Sequence, residues 1–122
     1  NISEESDIEI SETHHNLKKD TPSGTALTLA DSINEGAKVK KKHSYRLQSS
    51  NLVRKKNEIG FSSIRGGDVV GEHSVYFFLD GERIELTHRA SDRKIFSNGA
   101  LRAAVWIFKK KPGMYSLIDV LG

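Results

Sequence analysis

The sequence predicts an α+β fold: a mixed open β-sheet with two main helices on one face. Three observations carry this. Residues 58–90 read as successive strands. Ala26, Leu29, Ala30 and Ile33 recur at helical spacing before them, and Leu101, Ala104, Val105 and Phe108 do so after them. Runs of strands with helices gathered outside them suit α+β packing better than alternating βα units.

The elements follow in order. After a short lead, Ile8 and Ile10 alternate with Asp7, Glu9 and Ser11, which predicts a short strand. A connecting segment then carries His14, His15 and Lys18. Thr21 followed by Pro22 reads as an N-cap and first-turn pair, because proline lacks only an N–H that has no partner there. The helix runs on to Gly36, a stop signal. Residues 37–57 are polar, basic and poorly periodic, and read as a loop. Ile59, Phe61 and Ser63 alternate with Gly60 and Ser62, and residues 68–79 are rich in Val, Tyr and Phe. Asp80-Gly81 is a tight hairpin signal, and residues 83–89 alternate cleanly with Ile84 and Leu86 on one face. The second long helix is expected to start near Ser97 or Asn98 and to end at Pro112-Gly113; residues 115–121 are short and apolar.

In residues 74–79, Val75, Phe77 and Leu79 face one way, Tyr76 and Phe78 the other. One helix layer cannot cover both faces. The uncovered one is expected to meet another subunit, the sheet thus serving oligomerisation, or else to lie under residues 37–57.

The chemistry concentrates in the run from Glu12 to Ala26. Ser23, Gly24 and Thr25 fall in a first helical turn, where free N–H groups and the helix dipole attract carboxylates and phosphates. Gly24 lets a ligand approach the backbone, although glycine there costs roughly 1 kcal/mol relative to alanine. Lys18 adds a positive charge, and histidine is the side chain suited to proton exchange near neutral pH. The plainer readings are two surface imidazoles and a simple helix cap, but a cap does not account for Gly24. A metal pair is disfavoured, since neighbouring histidines on an extended segment point opposite ways and the chain has no cysteine.

The chain has 122 residues, 36% hydrophobic and 29% charged, enough for one modest domain. Without cysteine there are no disulfides, which fits a cytoplasmic protein. No apolar run is long enough to span a membrane. The first residue is Asn1 rather than Met, as expected of a fragment or a processed chain. The net charge of +3 is uneven: Lys38, Lys40, Lys41, Lys42, Arg46, Arg54, Lys55 and Lys56 crowd one stretch. A nucleic-acid site is disfavoured, because that stretch holds one aromatic residue and no recognisable motif. A solvated loop adding positive field near an acidic ligand is the better reading.

The run Glu12-Thr13-His14-His15-Asn16-Leu17-Lys18-Lys19-Asp20-Thr21-Pro22-Ser23-Gly24-Thr25-Ala26 resembles the E-x-H-H-x-x-K-x-D-x-P-S-G-T-A motif of the dihydrodipicolinate reductases. The run from Gly60 to His73 resembles the family's G-F-x-x-x-R-x-G-D-x-x-G-E-H, and Thr87-His88-Arg89-Ala90-Ser91-Asp92-Arg93 its T-H-[KR]-A-x-x-R. Residues 37–57 match poorly. The resemblance implies a single substrate-binding and oligomerisation domain over residues 1–122. In the family an N-terminal nucleotide-binding domain opens on a glycine-rich fingerprint, which these 122 residues do not contain, and the last helix would pack on that domain. It implies reduction of a cyclic unsaturated dicarboxylate to tetrahydrodipicolinate with NADPH or NADH, a step toward diaminopimelate and lysine, in a homotetramer. It assigns the acid–base step to His14 and Lys18, and contacts with the substrate carboxylates to His15, Ser23, Gly24 and Thr25. From the residues themselves, no metal, nucleic-acid or membrane partner is expected. The alternative is a non-catalytic homo-oligomerisation module.

Overall fold

A computed structural model describes residues 1–45 and 53–122. The chain divides into two compact units, Asn1–Ser91 and Asp92–Gly122.

The first unit is a five-stranded mixed sheet in the order β2-β3-β1-β4-β5. The strands are β1 (Asp7–His14), β2 (Lys42–Ser44), β3 (Glu58–Arg65), β4 (Gly71–Phe78) and β5 (Arg83–Ala90), with α1 (Ile2–Glu5) and α2 (Gly24–Gly36) beside them. Strands β2, β3 and β1 run parallel; β4 lies antiparallel to β1, and β5 to β4. The β4–β5 hairpin turns through Asp80-Gly81, with the Leu79 N–H donating to the Glu82 carbonyl at 2.9 Å. Gly81 has φ of 76°, a backbone that glycine adopts without strain.

Strand β1 buries every second residue: Ile8, Ile10, Glu12 and His14. Register sets Ile8 between Ile59 and Phe77, and Ile10 between Phe61 and Val75. These residues form one apolar cluster with Ala26 and Ala30 of α2, joined by Leu27, Leu29 and Ile33. Full burial of Ile8, Ile10 and Ile59 stabilises the fold by roughly 1.5–3 kcal/mol each. Further along the same face the pattern turns polar: Glu12 lies between Ser63 and His73, and His14 beside Arg65. The site therefore sits where the parallel strands end and α2 begins.

Several sequence expectations need correction. His14 is the last residue of β1 and buried, not part of the connecting segment. The N-cap of α2 is Ser23, not Thr21: its hydroxyl accepts from the Ala26 N–H at 3.2 Å. Pro22 thus precedes the cap, joined to Thr21 by a cis peptide. Residues 37–57 are not all loop, since β2 pairs there with β3, and the short lead forms α1.

Part of the basic stretch is inward-facing. Lys41 is buried, with Nζ donating to the Ser6 and Lys56 carbonyls, both at 3.4 Å. Burial pushes its ammonium below the ordinary lysine value. Arg54 donates to Asp7 at 3.0 Å and Glu9 at 3.1 Å, on the sheet face away from α2. Arg46 lies outside the described residues.

On that outer face, Ser11 meets the Tyr76 hydroxyl at 3.3 Å, and Tyr76 stacks on Phe78. Ile64 is 57% exposed and Phe78 36%.

The second unit holds α3 (Lys94–Ile107) and α4 (Leu117–Leu121). Helix α3 begins three residues before the expected Ser97, because Asp92 Oδ1 takes the Lys94 N–H at 2.8 Å. It ends well short of Pro112. Ser116 and Asp119 form a capping box that opens α4. Trp106 packs edge-on against Tyr115, whereas Val105 and Phe108 are exposed.

Candidate functional site

The site is organised around a buried carboxylate. Glu12 reaches its position because the inward alternation of β1 continues past Ile10. Arg65, at the end of β3, donates from Nη1 to Glu12 Oε2 and from Nη2 to Oε1, each at 2.7 Å. The Ser23 N–H donates to Oε1 at 3.1 Å, and His14 Nδ1 lies 2.6 Å from Oε2. Burial raises the Glu12 carboxyl, but hydrogen bonds from Arg65, His14 and Ser63 outweigh it and hold it down at about 2.

His14 meets His73 edge-on, ring centroids 5.1 Å apart. His73 Nε2 lies 2.8 Å from Ser23 Oγ. Burial, and then the neighbouring His14, push His73 below the ordinary imidazole value. Glu12, His14, Ser23 and His73 thus form one bonded cluster linking β1, β4 and the start of α2.

The loop after β1 is pinned from β3. Gly66 N–H donates to the His14 carbonyl at 3.0 Å, and Asn16 N–H to the Gly67 carbonyl at 3.1 Å. Arg65 also donates to the Asp20 carbonyl at 2.8 Å. Lys18 Nζ pairs with Asp20 at 2.8 Å, and that hydrogen bond holds the Asp20 carboxyl below its usual range. His15 is half-buried while His14 is buried, as expected for neighbours at a strand end.

At the helix start, Gly24 and Thr25 are exposed. Among the described residues their N–H groups take no protein acceptor, and a Cβ on Gly24 would meet only open space. Ser23 differs: its N–H and hydroxyl are engaged by Glu12, Ala26 and His73. Chemically, the arrangement offers an imidazole on an ionised carboxylate, a cation at Lys18 held by Asp20, and two free N–H groups at a helix N-terminus. Among the described residues, no group of three or more His, Asp or Glu side chains is placed to hold a metal ion. No helix there is long and apolar enough to cross a membrane.

Reading the sequence alone missed Glu12, Arg65 and His73 as partners of this cluster. The signal was present in two forms. The inward alternation of β1 extends to Glu12, and Arg65 and His73 both stand within the Gly60–His73 signature.

The fold and site together define an α+β domain that sets a histidine–carboxylate pair beside an open helix N-terminus. The family model "Dihydrodipicolinate reductase, C-terminus" matches residues 1–121, and the chain belongs to that family. It is 48% identical over 123 residues to a 4-hydroxy-tetrahydrodipicolinate reductase of Geotalea uraniireducens, covering 99% of this chain and 46% of that protein. A reductase of the same name from Aquifex aeolicus is 53% identical over 116 residues, covering 95% of this chain and 43% of that protein. The chain thus spans less than half the length of these curated relatives. Among solved structures, a dipicolinate-bound dihydrodipicolinate reductase from Paenisporosarcina sp. TG-14 aligns with a TM-score of 0.70 at 26% identity. The alignment covers 93% of this chain and 44% of that one.

Proposed function

We propose that this chain is the substrate-binding part of a reductase that converts dihydrodipicolinate (4-hydroxy-tetrahydrodipicolinate) to tetrahydrodipicolinate, on the route to diaminopimelate and lysine. The observation that carries this is the meeting of His14 with the open N-terminus of α2, joined through Glu12 and Ser23. A dicarboxylate needs oriented N–H donors and a cation, and a carbanion-like intermediate needs a positioned acid. The dipicolinate held by the Paenisporosarcina relative is a ligand of that chemistry.

In this reading His14 is the general acid, and Lys18 is a second donor or stabilises the developing anion after leaving Asp20. Gly24 and Thr25 N–H groups receive one substrate carboxylate. Ser23 forms the floor of that cradle and His15 its flank. The reductant is a nicotinamide cofactor, NADPH or NADH. The described residues do not fit it: no glycine-rich turn joins a strand to a helix, and Gly66-Gly67 links two strands. This chain's share is therefore carboxylate binding and proton delivery. Self-association through the outer sheet face, up to a tetramer, and action in the cytoplasm complete the proposal. The exposed Ile64 and Phe78 support the first of these.

The test is calorimetric titration of the chain with pyridine-2,6-dicarboxylate, beside a Gly24→Val and His15→Ala double variant. Binding that the variant abolishes is expected. Binding that survives it unchanged would remove the assigned carboxylate cradle.

A further inference from the structure

We infer that Glu12 is the positioning residue of the proton donor: it fixes His14 with its proton on Nδ1 and leaves Nε2 as the atom that exchanges protons. This rests on the reading of His14 as the acid.

The argument is an inventory of donors. An ionised carboxylate has about four acceptor directions and no proton to give. Oε1 receives the Ser23 N–H and Arg65 Nη2; Oε2 receives Arg65 Nη1 and faces His14 Nδ1. Arginine and a backbone amide can only donate, and the Ser63 side chain adds a further hydrogen bond, so these contacts hold the carboxylate in its charged form. A charged carboxylate has no proton to give, so His14 must donate too, and Nδ1 carries a hydrogen. Free imidazole can carry its single proton on either nitrogen; here the choice is made by the protein.

The opposite edge of the ring passes close to the β4 backbone at Gly71. A Cβ built on Gly71 would stand 3.1 Å from His14 Nε2 and 3.4 Å from Cδ2. Glycine at this buried position lets the ring sit against the strand without a side chain pressing on Nε2. On donation, the Nε2–H bond breaks, its electron pair stays on Nε2, and water later restores the proton. The Nδ1 proton stays on the Glu12 bond throughout. Arg65 keeps Glu12 charged and aimed; Ser23 joins the same carboxylate to the helix start, so acid and cradle share one anchor.

The experiment begins with the unaltered chain, labelled with ¹⁵N. A long-range ¹H–¹⁵N spectrum at alkaline pH, with His14 assigned by loss of its signals in His14→Gln, reports the neutral tautomer directly. Nδ1–H is expected; a dominant Nε2–H form overturns the proposal without any folding ambiguity. Next, Glu12→Gln removes the charge at nearly constant shape. The tautomer should shift toward Nε2–H. In a reductase carrying this chain as its C-terminal part, kcat should fall about 10–100-fold, with KM for the dicarboxylate within about threefold. An unchanged kcat, or a rise in KM alone, overturns the proposal. His14→Gln separates the two failures. Full turnover in it removes the acid reading and this proposal with it. Lost turnover in it beside an unimpaired Glu12→Gln enzyme removes the positioning role alone.

Discussion

Arg65 closes a two-point fork on Glu12, each guanidinium nitrogen 2.7 Å from its own carboxylate oxygen, and the same arginine reaches on to the Asp20 carbonyl at 2.8 Å. One side chain from β3 thereby fixes both the carboxylate under His14 and the loop that carries Lys18. Fork geometry of this kind is open to arginine and closed to lysine, whose ammonium is a point charge.

The fork makes Arg65 a stability residue. Arg65→Met leaves the Glu12 carboxylate buried without its main partner, a loss expected to cost about 2 kcal/mol or more. Arg65→Lys should recover only part of it. Urea unfolding at neutral pH checks both, and equal stability of the two variants would contradict the bidentate argument.

Acid should weaken the fold through the same pair. Burial raises the Glu12 carboxyl, yet Arg65, His14 and Ser63 together hold it at about 2, below the ordinary 4.5. A folded-state value below the unfolded one means the stabilisation is complete above about 4.5 and is lost as pH falls toward about 2. Urea midpoints measured across that window should fall for the natural chain and fall less for Glu12→Gln. Parallel profiles would show that Glu12 does not carry the effect.

Ser23 caps α2 and also bonds His73. Ser23→Ala should cost about 1 kcal/mol from the cap, with a further loss from the freed His73. A double-mutant cycle with His73→Phe separates the two parts. Coupling near zero would mean that the 2.8 Å contact does not hold in solution.

What the sequence made legible follows the reach of local pattern. The alternation in β1 and β5, the helical spacing in α2 and the Asp80-Gly81 turn are readable because the signal lies within a few residues. Strand β2 is not: Lys42, His43 and Ser44 have no strand pattern, and only their parallel pairing with Glu58, Ile59 and Gly60 makes them one. The start of α3 was misjudged because the flanking Arg93 makes no side-chain cap; Asp92 provides it instead. Glu12 was in view as a letter of the motif, but its role depends on Arg65, 53 residues away. Helix α4 carries a local signal as well, since Ser116 and Asp119 stand at capping-box spacing.

The assigned acid roles predict large kinetic losses. In a reductase whose C-terminal part is this chain, His14→Gln or Lys18→Ala should lower kcat by roughly 10²–10⁴, the usual worth of a positioned proton donor. Because Lys18 pairs with the exposed Asp20, Lys18→Ala should leave the urea midpoint nearly unchanged. A loss of activity below tenfold in both variants would remove the roles.

Self-association is the last expectation, and the outer sheet face decides it. Strands β1, β3 and β4 turn Ser11, Ser62 and Tyr76 outward there, with Ile64 and Phe78 beside them. Arg54 covers only the end near Asp7 and Glu9. Ile64 and Phe78 leave apolar surface in solvent there, and a second copy's sheet packed face to face would cover it. The 13.6 kDa chain should sediment as a larger species at high concentration. Ile64→Asp with Phe78→Asp should return it to a monomer without loss of secondary structure. A natural chain that stays monomeric throughout would place the partner of this face elsewhere.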